Sequence, residues 1–303
     1  MRKLAGLCLG LGLAGLAAFW LLTRPASLSP QTLAAFAVYS ADAQRGEAVF
    51  WAAGCAGCHA APGLEMDASA EDRMRLGGGT RFETPFGTFR APNVSMHPTQ
   101  GIGAWSFQEF ARAVMLGVSP EGLHYYPAFP YASYVLARPG DIADLWAFWQ
   151  TLPAVDTPSE PHDLGFPFTL RRGLGLWKLL NLPSGFVLAD SDDQQVMRGR
   201  YLVEGLGHCA ECHTSRDGFG GLRRENWLSG AANPSGRGRI PALPPQGWSG
   251  LDITAYLQSG FTPEFDVVGG AMADVVASIS RLPSEDRNAI AAYLLAFRSS
   301  PSR

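Results

Sequence analysis

One pentapeptide occurs twice, as Cys55-Ala56-Gly57-Cys58-His59 and Cys209-Ala210-Glu211-Cys212-His213, and the two copies use four of the chain's five cysteines. Two thiols one helical turn apart can each add to a heme vinyl group. The histidine that follows then lies under the ring, where its imidazole can bind iron. A lone Cys-x-x-Cys would also suit a thiol redox pair, and four cysteines could hold one zinc. Neither explains why both copies continue into histidine. The spacing therefore implies two covalent groups of heme c, attached through Cys55, Cys58, Cys209 and Cys212, with His59 and His213 as proximal iron ligands. The remaining cysteine, Cys8, sits in an apolar run and reads as a small membrane-facing residue.

That apolar run stands apart from the rest of the chain. Arg2 and Lys3 precede an uncharged stretch from Leu4 to Leu22, and Arg24-Pro25 closes it. As a helix the stretch would span about 28 Å, close to the hydrocarbon core of a bilayer. A secretory signal has a shorter apolar region, about 7–15 residues, and ends in a small-x-small cleavage site that is missing here. The expectation is an uncleaved N-terminal anchor in preference to a removed signal, with the positive end held in the cytoplasm and the body exported. With 24 basic and 27 acidic residues the chain offers no electrostatic case for a nucleic-acid partner. At 47% hydrophobic and 17% charged it is expected to fold.

The sequence around the two motifs also repeats. Arg45-Gly46-Glu47 leads into the first as Arg198-Gly199-Arg200 leads into the second. Further on, Trp105-Ser106 and Trp248-Ser249 each open a stretch that ends 12 residues later in glycine, at Gly117 and Gly260. Each serine is followed three residues later by an acid, Glu109 or Asp252, the pattern of a capping box. Both halves end in an amphipathic helix: Leu145, Phe148, Trp149 and Leu152 in one, Ile290, Tyr293, Leu294 and Phe297 in the other. Asp141 and Ser284 are the expected N-caps. The organisation read from this is an anchor or signal over 1–25, a linker over 26–40, a domain over 41–155, an interdomain linker over 156–190 and a second domain over 191–303.

These features resemble the class I cytochrome c fold, which implies an all-α architecture of two tandem domains. Gly46 and Gly199 are placed where the first and last helices of that fold cross. More narrowly, the chain resembles membrane-associated bacterial diheme cytochromes c and the cytochrome subunits of periplasmic alcohol- and sugar-oxidising dehydrogenases. Tyr126-Pro127-Ala128-Phe129-Pro130-Tyr131 is a variant of their Tyr-Pro-Ala-Met-Pro-Tyr ligand loop. Those subunits commonly carry three heme motifs, and this chain carries two. The resemblance implies that Met272 closes the second heme. Counted from the matched glycines, the same slot in the first half holds Phe129, which cannot bind iron. His124 is then the candidate ligand from that loop, beside an open iron or a substitute from Met96 or Met115.

Electron transfer is the function this implies. Single electrons would pass on the periplasmic side of the inner membrane, from a dehydrogenase or quinol-side donor to a soluble cytochrome or terminal oxidase. The alternative is an enzyme acting on peroxide or a small sulfur compound at an open first heme. Of the other segments, Gly77-Gly78-Gly79-Thr80 reads as a turn, since no phosphate-loop continuation follows. His162 and His208 read as surface or capping histidines, and Asn93-Val94-Ser95 as an incidental match to the glycosylation pattern. The apolar linker sequences Phe166-Pro167-Phe168 and Leu174-Gly175-Leu176-Trp177 are expected to strap across the domain interface or rest at a membrane surface.

Overall fold

The computed structural model describes residues 2–234 and 238–299. The final residues of the expected second domain, 300–303, lie outside that range. Helix α1 (Arg2–Leu22) projects from the body and is exposed along its described side chains, with an apolar span over Lys3–Leu22. A second helix, α2 (Pro30–Val38), follows within the segment expected to be a linker. Ser29 caps it by accepting the Thr32 N–H, and Pro30 occupies the first helical position. It packs on the first half, where Phe36 meets Phe107 edge-on at 4.7 Å.

The first half runs α3 (Ala43–Ala52), α4 (Cys55–His59), α5 (Ala70–Arg73), strands β1 (Arg81–Thr84) and β2 (Gly87–Arg90), then α6 (Phe107–Leu116), α7 (Tyr131–Tyr134) and α8 (Pro139–Trp149). A strap follows, with β3 (Asp163–Leu164) and α9 (Leu174–Asn181). The second half runs α10 (Gln194–Arg200), continued by a wider π-type turn over Tyr201–Leu206, then α11 (Ala210–His213), β4 (Ala231–Ala232), β5 (Arg239–Ile240), α12 (Gly250–Ser259), α13 (Ala271–Ile279) and α14 (Ser284–Ser299). The frame is helical, but the all-α expectation misses two small antiparallel sheets. In the first, β2 pairs with both β1 and β3. The alternation in Arg81–Thr84 and the turn at Gly87, with φ +120°, favour a hairpin where the pattern elsewhere has helical period.

Close helix crossings hold each half together. A Cβ on Gly46 would lie 2.0 Å from the Asp144 carbonyl oxygen, and one on Gly199 would lie 1.9 Å from that of Ala289. Only glycine lets α3 approach α8, and α10 approach α14, this closely. Both capping boxes are formed, Ser106 with Glu109 and Ser249 with Asp252, and both helices end at a left-handed glycine, Gly117 and Gly260. Two cap expectations are corrected. Arg138 stands at the N-cap of α8, with Pro139 next, which moves Asp141 into the first turn. Ser284 is the first residue of α14.

Candidate heme-attachment sites and the interface between them

Each Cys-x-x-Cys-His motif is a single helical turn entered by a sharp bend. Gly54 precedes α4 at φ +62°, and His208 precedes Cys209 at φ +40°. None of the described cysteines forms a disulfide. Burial pushes the Cys58 thiol up to about 11 and the Cys209 thiol up to about 12. That is the opposite direction to the lowered pKa of a reactive redox thiol. Among the described residues no group of three or more His, Cys, Asp or Glu is placed to hold a metal ion.

The two histidines are oriented identically. His59 Nδ1 lies 2.9 Å from the Pro92 carbonyl oxygen, and His213 Nδ1 lies 2.8 Å from that of Pro241. A carbonyl only accepts, so Nδ1 carries the proton and donates. That leaves Nε2 unprotonated, the tautomer an iron ligand requires. Burial depresses the pKa of both rings, and the carbonyl bond offsets part of the fall. Both therefore stay neutral. Two thiols, one oriented imidazole and an apolar surround fit a covalently held heme in each half.

The far side differs between the halves. In backbone terms the loops after Gly117 and Gly260, where the second ligands are expected, match: the Tyr125 N–H donates to the Gly117 carbonyl at 2.7 Å, and the Val268 N–H to the Gly260 carbonyl at 2.8 Å. Past this point Met272 is the second residue of α13, half-buried and packed against the core. Phe129 instead lies in a turn ahead of α7, in edge contact with Tyr125, Tyr131 and Tyr134. The Tyr134 hydroxyl donates to the Ala53 carbonyl, two residues before Cys55, so this aromatic group borders the first attachment site.

His124 occupies the register position of Val267, which is 63% exposed and points outward. Its own ring is 3% exposed, because the strap and the end of α1 cover it, and Nε2 donates to the Thr23 carbonyl at 2.9 Å. The structure thus ties His124 to the residue that follows α1, and ligation of the first iron would require that bond to break. Met115 is buried in the core, and Met96 is half-buried against it. His208, expected as a surface or capping histidine, is half-buried and hydrogen-bonds the Ala53 carbonyl at 3.3 Å. His162 is exposed and accepts the Arg90 N–H. Asn93 is 3% exposed and donates to Val155 and Thr157, which removes it from glycosylation.

The residues that join the halves were not legible in the sequence. Helix α13 of the second half packs on α4 of the first, and α7 of the first packs on the π-type turn of the second. Arg73, 1% exposed, bonds Asp274 at 3.3 Å and the Glu65 carbonyl at 2.7 Å. Tyr201 donates to Asp141 at 2.5 Å, and the Arg281 guanidinium stacks over Trp51 at 4.7 Å. His208, next to Cys209, hydrogen-bonds the Ala53 carbonyl near Cys55, and Ser133 bonds Glu211 within the second motif, so both motifs border this interface.

No family model matches the chain. It is 54% identical over 293 residues to a diheme cytochrome c-type protein of Cereibacter sphaeroides, covering 96% of each chain. It is 34% identical over 266 residues to the fructose dehydrogenase cytochrome subunit of Gluconobacter japonicus, covering 86% of this chain and 52% of that one. It is 32% identical over 282 residues to the cytochrome c subunit of a quinone-type alcohol dehydrogenase of Gluconobacter oxydans, covering 85% of this chain and 55% of that one. The chain spans about half the length of these dehydrogenase subunits.

Proposed function

This chain belongs to the diheme c-type cytochromes, and from that premise we propose that it relays single electrons between two hemes outside the cytoplasmic membrane. The donor is a dehydrogenase or quinol-side protein, and the acceptor is a soluble cytochrome or terminal oxidase. The observation that carries this reading is that the two attachment motifs border one interface: His208, just before Cys209, hydrogen-bonds the Ala53 carbonyl, two residues before Cys55, and Ser133 of the first half bonds Glu211 inside the second motif. Attachment sites in separate bodies would have to wait for a collision; these are neighbours within one fold.

The bound group supplies a one-electron iron couple. The chain supplies everything that makes the couple useful. Cys55 and Cys58, and Cys209 and Cys212, fix each ring at two points. His59 and His213 present Nε2 along a direction set by the Pro92 and Pro241 carbonyls. Met272 is the proposed second ligand in the second half, and its thioether raises the potential relative to a bis-histidine site. In the first half the reading assigns the far side to the aromatic wall of Phe129 and Tyr134. The packed helix crossings at Gly46 and Gly199 keep each site rigid, so little moves when charge arrives or leaves.

In the same reading each half is one cytochrome c domain, within 41–155 and 191–303, and α1 anchors the chain with its body in the periplasm. A pyridine hemochrome assay on denatured protein, paired with intact mass spectrometry, is expected to give two hemes per polypeptide. A mass carrying one heme or none contradicts the relay.

A further inference from the structure

The strap between the halves is built with its apolar side outward. On α9, Leu176, Leu179 and Leu180 recur at i, i+3 and i+4, and their exposures are 39%, 60% and 84%. Phe166 and Leu170, just ahead of the helix, are 80% and 60% exposed. Phe219 joins them at 83%, its carbonyl accepting the Trp177 indole N–H at 3.0 Å. The inward face of the same helix carries Gly175 and Lys178. Lys178 donates to the Leu116 and Gly117 carbonyls at the end of α6. An eight-residue helix that buries its lysine and exposes its leucines is inverted relative to a helix facing water.

The position of this face identifies what covers it. Arg172 donates to the Trp20 carbonyl at 2.6 Å and to the Thr23 hydroxyl at 2.9 Å, and its guanidinium stacks over the Trp20 ring at 4.2 Å. A Cβ on Gly175 would lie 2.6 Å from Thr23 Cα, so the first turn of α9 abuts the chain where it leaves α1. The strap is therefore locked at the level of the anchor's last turn. Tryptophan and arginine at that level, beside outward leucine and phenylalanine, are the composition of a lipid–water boundary.

We propose that residues 166–180, together with Phe219, form an in-plane foot that lies in the outer interface of the bilayer spanned by α1. This rests on reading α1 as a retained spanning helix. The foot also fixes which heme is nearer the membrane. Arg171 donates to the His124 carbonyl at 2.8 Å, and the Tyr126 hydroxyl donates to the Phe168 carbonyl at 2.8 Å. The ligand loop of the first half thus stands directly on the foot, and the first heme becomes the membrane-proximal one.

The test uses the full chain with both hemes in vesicles of phosphatidylethanolamine and phosphatidylglycerol, doped with a phospholipid carrying a diazirine high on its acyl chain. After illumination, adducts are mapped by mass spectrometry. Adducts are expected in α1, in 166–180 and at Phe219, with none in α12, where Leu251 is equally exposed to water at 83%. The variant carrying both Leu179→Glu and Leu180→Glu should lose the strap adducts while retaining those in α1 and both hemes. Adducts in α1 alone in the parent protein overturn the foot and leave the anchor standing. Absence of adducts from α1 removes the spanning reading, and the foot falls with it.

Discussion

At the scale of single residues, two kinds of position carry the fold, and they respond to different perturbations. Gly46 and Gly199 are steric. Replacing either with alanine forces a carbon into a backbone carbonyl, and the crossing must open. Each substitution should cost about 1–3 kcal/mol or more, by analogy with overpacked cores, and thermal melts followed at the Soret band should show it. A tolerated alanine at both sites would mean the crossings are looser than described. Asp144 is electrostatic. It is buried beside that crossing and accepts from Tyr39, the Asp42 amide and both arms of Arg45. Burial works to raise its carboxyl, and these donors outweigh it, leaving the pKa below the ordinary aspartate value. The unfolded chain therefore binds the proton first as pH falls. The stability this group contributes is complete above the ordinary aspartate pKa and is lost as pH drops through the lower folded value. Asp144→Asn should destabilise the protein at neutral pH and flatten that acid limb in denaturation measured against pH. An unchanged limb would show that another carboxylate controls it.

Among the elements, what was legible in the sequence followed periodicity and motif spacing. The capping boxes, the paired glycine ends and the two attachment turns were all readable because each depends on residues within about a dozen positions. The π-type turn at Tyr201–Leu206, the β3 strand and the inverted face of α9 were not readable. They depend on partners about 60 to 150 residues away, such as Asp141 for Tyr201 or Thr23 for Arg172. His124 shows the limit most clearly. Its spacing places it in the loop where a ligand is expected, and only the fold shows that its ring is covered by the end of α1 and bonded to Thr23. The matched ligand loops give two linked predictions at this scale. Met272→Ala should abolish the near-infrared methionine–iron band of the oxidised protein, and persistence of the band would reject Met272 as ligand. Phe129→Met places a thioether in the equivalent slot of the first half. It should add a second such band, provided His124 stays on Thr23. Failure of the second band to appear, with two hemes still bound, would return the first iron to another ligand.

The whole molecule is more than two units in series, because each half completes the other's surroundings. Helix α13, whose second residue is the proposed ligand Met272, lies on the first half's attachment turn, where Gly57 approaches Asp274 closely enough that a Cβ would sit 3.4 Å from its Cβ. Reciprocally, α7 follows the Phe129 loop and lies on the π-type turn ahead of Cys209, with Ser133 donating to Glu211 at 3.4 Å. Arg73 is the polar centre of the first of these contacts, and its side chain is 1% exposed. An electron entering at either heme should therefore equilibrate with the other inside one molecule. After pulse reduction of a small fraction of the hemes, the redistribution phase is expected to have a rate independent of protein concentration. Arg73→Met removes the bond to Asp274 and the clasp on the Glu65 carbonyl, which should loosen α13 on α4 and slow that phase without changing heme content. A redistribution rate that rises in proportion to protein concentration would mean that the hemes exchange electrons by collision between molecules, and the shared interface would then have no part in the relay.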